Sequence, residues 1–262
     1  MKKIVIRSAL ALAMMMTVLP VSADIGCAYS VSAAQSAKTS DYVTIAGYKF
    51  SVSETTSLDL SYNKLTAKDM KNIAKLKNLT GLRLFRCHIA DITALSKLTN
   101  LKELDLCDNE ISDITPLAKL KKLEFLVLRE NKISDITPLS KLTNLTELNL
   151  SENQISDITP LSKLTKLTYL DLSCNEISDI TPLEKLKKLT ELNLSCNQIK
   201  DIKPLAKLTK LKILDLSFNY DLTDIKPLAK LKKLTELDLS SNKISDKDKE
   251  WLKKQLSNTV IY

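Results

Sequence analysis

The sequence predicts an α/β solenoid: a curved stack of near-identical units with a parallel β-sheet on its concave side, short 3-10 or helical segments on its convex side, and a cap at each end. Three observations predict it. A 22-residue unit recurs along most of the 262 residues. Each unit carries a Leu-x-Leu alternation followed by an Asn. Aromatic residues make up only 5% of the chain against 44% hydrophobic residues in all, so stacked aliphatic side chains must fill the core.

The amino-terminal segment carries Lys2, Lys3 and Arg7, then an apolar run from Ala9 to Val21 and the small-residue site Val21-Ser22-Ala23. These are the three parts of a secretory signal peptide, read here as residues 1–23, with an alternative end near 33–34 at Val31-Ser32-Ala33. The uncharged run is shorter than the ~20 residues a membrane-spanning helix needs. No other long apolar run follows, so the mature chain is expected to be extracellular with no integral membrane span. Residues 24–41, rich in Ser and Ala, read as a flexible leader. Lipid attachment at Cys27 is a weaker reading, because Asp24 stands where an aliphatic residue belongs.

Residues 42–56 read as an N-terminal β-hairpin cap turning at Ala46-Gly47. The stretch from Ala67 to Leu76 places Met70, Ile73 and Leu76 on one helical face. Repeats occupy residues 57–244. A degenerate first copy covers about 57–78; full copies begin at Leu79, Leu101, Leu123, Leu145, Leu167, Leu189 and Leu211, each 22 residues apart. The copy at Leu234 follows one extra residue in the Asn219–Leu222 turn. In each unit, Leu-x-Leu, as at Leu104 and Leu106, predicts a short strand with every second side chain inward. The Ile residues of the turn and the Leu residues of the return segment complete the core, which no single unit can bury alone.

Asn109, Asn131, Asn153, Asn175, Asn197, Asn219 and Asn242 share one position. A buried Asn there must hydrogen-bond loop backbone, and Cys87 takes the same place in the Leu79 unit. The Thr-Pro pairs suit a brief helical turn with Thr as the cap and Pro first. Asp91, Asp113, Asp135, Asp157, Asp179, Asp201, Asp224 and Asp246 form a second ladder, read as bonding turn backbone in preference to calcium. Residues 245–262 read as a C-terminal helical cap running through Leu256, with Trp251, Leu252 and Leu256 inward.

The pattern L-x-x-L-x-L-x-x-N-x-I/L, continued by I-S-D-I-T-P-L-x-K-L-T-x-L, resembles the leucine-rich repeats of internalin-type bacterial surface and secreted proteins over about residues 57–244. The resemblance implies a leucine-rich-repeat horseshoe that binds another protein through its concave sheet; some internalins promote adhesion or entry. Two departures limit it. No immunoglobulin-like domain is recognisable after the repeats, and no L-P-x-T-G sorting signal supports covalent wall anchoring.

Alternation also places the outward residues. Later repeats are monotonous, as in Glu147, Asn149, Ser151 and Glu191, Asn193, Ser195. Earlier ones are not: Arg83 and Phe85, then Glu103 and Asp105, then Phe125, Val127 and Arg129, with Tyr169 at the edge. Aromatic residues beside arginines are the usual anchors of protein interfaces, so these eight form the candidate partner-binding patch. The alternative is drift of individual repeats. A second face is basic: Lys97, Lys119, Lys141, Lys163, Lys185, Lys207 and Lys230 share one position, suited either to solvation or to an anionic wall polymer or glycan.

The formal charge is +8, and removal of the three basic residues of the signal segment leaves +5, too modest for a dedicated nucleic-acid protein. Catalysis is not expected. The one histidine, His88, has no metal-spaced neighbours, and neither G-x-S-x-G nor a Walker A motif is present. A glycosidase-like pair such as Asp171 and Asp215 is better explained by repeat identity. No cofactor or metal is implied, and a monomer is expected. Of the five cysteines, Cys174 and Cys196 stand at equivalent places in adjacent repeats, where strand spacing permits a disulfide; the alternative is two free thiols.

Overall fold

A computed structural model describes residues 41–262. The signal segment, the leader and Cys27 lie outside the described residues.

Strands β1 (Tyr42–Ile45) and β2 (Tyr48–Ser51) pair antiparallel, with Ile45 opposite Tyr48. The two-residue turn between them needs a left-handed backbone at both positions. Ala46 has φ +49° and Gly47 φ +86°, matching the right-handed twist of the strands. Helix α1 (Ala67–Ile73) begins with a reciprocal cap in which Asp69 N–H donates to Thr66 Oγ1 at 3.2 Å and Thr66 N–H donates to Asp69 Oδ2 at 2.9 Å. The same carboxylate accepts from Ala46 N–H at 2.9 Å, which ties the hairpin turn to the helix.

Ten strands then stack in parallel, in chain order: β3 (Ser57–Asp59), β4 (Gly81–Arg83), β5 (Glu103–Asp105), β6 (Phe125–Val127), β7 (Glu147–Asn149), β8 (Tyr169–Asp171), β9 (Glu191–Asn193), β10 (Ile213–Asp215), β11 (Glu236–Asp238) and β12 (Val260–Ile261). Register is unbroken. Leu82, Leu104, Leu126, Leu148, Leu170, Leu192, Leu214 and Leu237 oppose one another and are all buried. Between β4 and β11 each return segment is a five-residue 3-10 turn, such as Thr115–Lys119, whose central Leu is buried, and only the longer first and last returns carry an α-helix. A full α-helix would not fit in so short a return.

Two details depart from the expectations above. Thr does not cap these turns; the cap position is an Ile whose side chain makes no capping bond. The preceding Asp does the work: Asp113, Asp135, Asp157 and Asp179 each accept from the N–H two residues on, at 2.8 Å. An Asx turn thus starts each segment and accounts for the aspartate ladder from Asp91 to Asp224, while Asp246 opens the C-terminal helix. At the far end, Ser245 caps α2 (Asp246–Gln255), but the chain continues into β12, which adds a tenth rung beside β11. That strand, with the buried Leu252 and Leu256, closes the apolar end of the stack.

The asparagine ladder runs through the turn after each strand. Asn175 is representative: its Oδ1 accepts from Ile155 N–H at 3.0 Å, and its Nδ2 donates to the carbonyls of Leu150, Leu172 and Ser173 at 3.0–3.2 Å. In the degenerate first repeat, Asn63 fills this position and donates to Leu60 O. Cys87 follows it; its thiol donates to the same carbonyl at 3.1 Å, and burial pushes it up to about 11.

Candidate functional site

Each repeat presents three side chains to the concave wall: the first and third residues of its strand and the residue two beyond. In register they form columns. The first runs Gly81, Glu103, Phe125, Glu147, Tyr169, Glu191, Ile213, Glu236, and the second Arg83, Asp105, Val127, Asn149, Asp171, Asn193, Asp215, Asp238. All eight sequence-selected residues therefore lie on or beside this wall. They do not share one environment. Arg83, Phe85 and Phe125 are half-buried, while Glu103 and Arg129 are exposed.

Val127 and Tyr169 differ from the exposed anchors that alternation implies: they are 8% and 5% exposed. The cause is lateral crowding. Parallel rungs sit ~4.8 Å apart, so a side chain on the inside of the curve is flanked by its neighbours in the column. Val127 lies between Asp105 and Asn149, and Tyr169 between Glu147 and Glu191. The Tyr169 hydroxyl is also turned along the wall, donating to Asp171 Oδ2 at 3.4 Å. These two residues form the floor of the wall, and the free apolar surface belongs to Phe85 and Phe125. Arg129 is engaged as well; its Nη2 lies 2.6 Å from Glu152 and its Nε donates to the same carboxylate.

One contributor is missed by repeat reading. Tyr62, 69% exposed, packs edge-to-face on Phe85 with ring centroids 5.0 Å apart. It sits in the degenerate repeat just before Asn63, at φ +65°. The residue before the ladder Asn adopts this left-handed backbone in every repeat, as at Asp108, Glu130 and Glu152. Aligning Asn63 with the ladder was the signal that could have found Tyr62.

The carboxyl-terminal half of the wall is acidic and partly dry. Burial raises Asp171 and Asp215 there, and Asp105 towards the amino-terminal end, above the usual carboxylate range, against the lowering effect of hydrogen bonds from the residue two on. Burial and then Glu236 raise Glu191, and its Oε2 is a buried atom with no hydrogen-bond partner among the described residues. Tyr169 is pushed well above the ordinary phenol range by burial first and then by Asp171 and Glu191. No group of three or more His, Cys, Asp or Glu side chains among the described residues is arranged to hold a metal ion. No helix among them is long and apolar enough to cross a membrane.

The wall supplies its own test of this burial. Asp171 Oδ1 accepts from Ser173 N–H and Oγ at 2.9 and 2.7 Å, and Asn149 makes the same two bonds to Ser151 at the same distances. Asn is therefore a ready-made neutral replacement. A folded state that raises a carboxyl pKa holds that proton more tightly than the unfolded chain does. The contribution to stability is present at low pH and is lost as pH rises through the raised value. Asp171→Asn is expected to raise stability at pH 7 by about 1 kcal/mol, mid-range for a stabilising substitution, or about 2–4 °C in a chain of this size. The gain should shrink as pH falls and vanish below the ordinary carboxylate value of 3.8, where the Asp171 side chain is neutral in the folded and the unfolded chain alike. Thermal scans of both proteins across that range decide it, and a gain independent of pH would assign the effect to packing.

The family model described as "Leucine Rich repeats (2 copies)" matches residues 77–119, 99–141, 121–163, 143–185, 187–220 and 209–250, and one described as "Leucine Rich repeat" matches residues 56–74. No match was found among the curated proteins. Among solved structures, the chain is similar to an internalin (inlF) from Listeria monocytogenes, with a TM-score of 0.75 and 36% identity over 82% of this chain and 63% of that one. It thus spans less than two thirds of that protein. It is also similar to internalin C2 (inlC2) from the same organism, with a TM-score of 0.66 and 36% identity over 72% of this chain and 82% of that one. A leucine-rich-repeat protein of Leptospira interrogans matches at a TM-score of 0.53 and 27% identity, over 79% of this chain and 72% of the other.

Proposed function

The chain belongs to the leucine-rich-repeat family as an internalin-like member, and from that premise we propose that it is an exported, non-enzymatic module that binds a partner protein through its concave wall. The observation that carries the proposal is the break in monotony at the amino-terminal rungs. Phe85 and Phe125 are half-buried on a rigid parallel sheet beside the half-buried Arg83, and Tyr62 extends the aromatic area. Large, rigid, half-buried aromatics contribute contact area at small entropic cost. The acidic half supports a partner with basic groups, since a donor brought against Glu191 and Asp171 meets carboxylates that burial has left short of solvation. Export rests on the basic, apolar and small-residue order of residues 1–23.

The test is to capture proteins from host-cell extract with the mature chain, then to measure the affinity of each captured protein for the wild type and for wall variants. Binding insensitive to every change on the wall would reject the proposal.

The lysine column favours a second reading. All seven lysines from Lys97 to Lys230 are exposed, and among the described residues only Lys207 forms an ion pair, with Glu184. A row of cations at rung spacing fits an anionic wall polymer. Purified cell wall titrated with the mature chain at rising ionic strength separates the two. Polymer docking weakens steeply with salt because exposed charges are screened, whereas contact through Phe85 and Phe125 persists.

A further inference from the structure

We propose that Cys174 and Cys196 form a modification site at the rim of the concave wall, where a small-molecule or protein disulfide oxidises them to an inter-rung disulfide.

The position is defined by backbone. Each occupies the left-handed residue before the ladder Asn, with φ +53° and +54°. Cys174 N–H donates to Ser195 O and Cys196 N–H to Ser217 O, each at 2.9 Å. The two residues are therefore consecutive members of one column, on rungs ~4.8 Å apart, inside the ~4.4–6.8 Å Cα window that a disulfide requires. Neighbours in this column do meet through their side chains: Arg86 Nε lies 3.2 Å from Asp108 Oδ2 one rung on. At Cys174 and Cys196 the two thiols are near enough to interact, and Cys196, after burial, raises Cys174. Both are exposed, unlike the buried Cys87 and the half-buried Cys107.

Side chains elsewhere in the column are Tyr62, Arg86, Asp108, Glu130, Glu152, Phe218 and Ser241, so the turn places no demand for sulfur. Cysteine at the same position on two adjacent rungs, open to solvent, is a dithiol in reach of an oxidant. The exchange is balanced. One thiolate attacks the oxidant's S–S bond, forming a mixed disulfide and releasing one thiol. The second thiolate then attacks the cysteine sulfur of that mixed disulfide, forming the Cys174–Cys196 bond and releasing the other thiol. One S–S bond breaks and one forms, the two electrons pass to the oxidant's sulfurs, and the two cysteine protons leave on the released thiols. Exposed cross-links of this kind are readily reduced again, so the site is reversible and fastens the rim beside Tyr169 and Asp171 only under oxidising conditions.

Trypsin separates the four described cysteines, placing Cys174 in 167–185, Cys196 in 189–200, Cys87 in 87–97 and Cys107 in 103–119. The reduced full chain is incubated with oxidised glutathione, digested without reductant and analysed by mass spectrometry. The expected result is a 167–185/189–200 cross-link within one chain, exceeding glutathione adducts on those peptides by at least about tenfold because the second thiol is already at a high effective concentration. Cys196→Ser should convert Cys174 into a stable glutathione adduct, which a merely unreactive Cys174 would not form. Persistent glutathione on both cysteines of the wild type, or cross-links only between chains, overturns the proposal.

Discussion

Asn175→Ala is expected to lower the unfolding free energy by about 3–5 kcal/mol, because four hydrogen bonds at about 1 kcal/mol each disappear and their backbone partners have no water to turn to. The side chain is 8% exposed. Its loss strands Ile155 N–H, leaves Leu150 O with only the Asn153 amide, and weakens the turn at Leu172 and Ser173 in the next repeat. The damage is therefore to the joint between two rungs, not to one loop. In a solenoid, each repeat is held chiefly by its neighbours, so the denaturant midpoint should fall and the transition should broaden as the halves on either side of the joint uncouple. Glu176→Ala, one residue on and exposed, is the control and should stay within about 0.5 kcal/mol of the parent. A loss below about 1 kcal/mol for Asn175→Ala would mean that water replaces the amide and that the ladder is not what fastens the rungs.

That joint was legible in the sequence because its cause is local and repeated. An Asn recurring every 22 residues after Leu-x-Leu has one physical explanation, and the inward Leu residues follow from the same alternation. The same logic anticipated that the aspartate ladder bonds turn backbone, but it assigned the capping to Thr. Thr-Pro looks like a helix start, whereas the 3-10 turn here begins with an N–H already claimed by the Asp two residues back. Two kinds of information were not legible. Burial on the concave side depends on which side chains flank a residue in adjacent rungs. Val127 and Tyr169 read as outward from their own strands and are covered by residues 22 positions away. Degenerate repeats hide their register, so Tyr62, which completes the aromatic cluster on Phe85, and Asn63, which opens the asparagine ladder, escaped a pattern tuned to the perfect copies. The closing strand β12 escaped for a related reason: Val260 and Ile261 carry no repeat signature, and only the open edge of β11 gives them a place.

The second large effect belongs to the wall. Phe85→Ser with Phe125→Ser is expected to weaken binding of the captured partner about 1,000-fold, taking about 2 kcal/mol for each interface hot spot and 1.4 kcal/mol for each factor of ten. Neither ring belongs to the buried aliphatic core, so the rungs should remain stacked and the thermal midpoint should change little. Phe85 gives up the edge-to-face contact with Tyr62, a pairing of the kind worth about 0.5–1.5 kcal/mol. This distinguishes the pair from Val127 and Tyr169, whose truncation would open the floor and confuse lost contact with lost shape. Phe85 lies two residues beyond strand β4 and Phe125 opens strand β6, with one rung between them. A partner that spans both must cover Glu103 and Asp105 on that rung. A basic group on the partner meets Asp105 where burial already disfavours its charge, and that places the strongest electrostatic dependence at the middle of the patch. Single Ser variants measured beside the double variant and beside Lys119→Ala on the basic edge read out the arrangement. Losses confined to the two Phe positions, with the lysine variant unchanged, place the partner on the concave wall. A double variant that binds within about threefold of the parent, well under the effect of one hot spot, removes these rings from the interface and leaves the lysine edge as the surface to pursue.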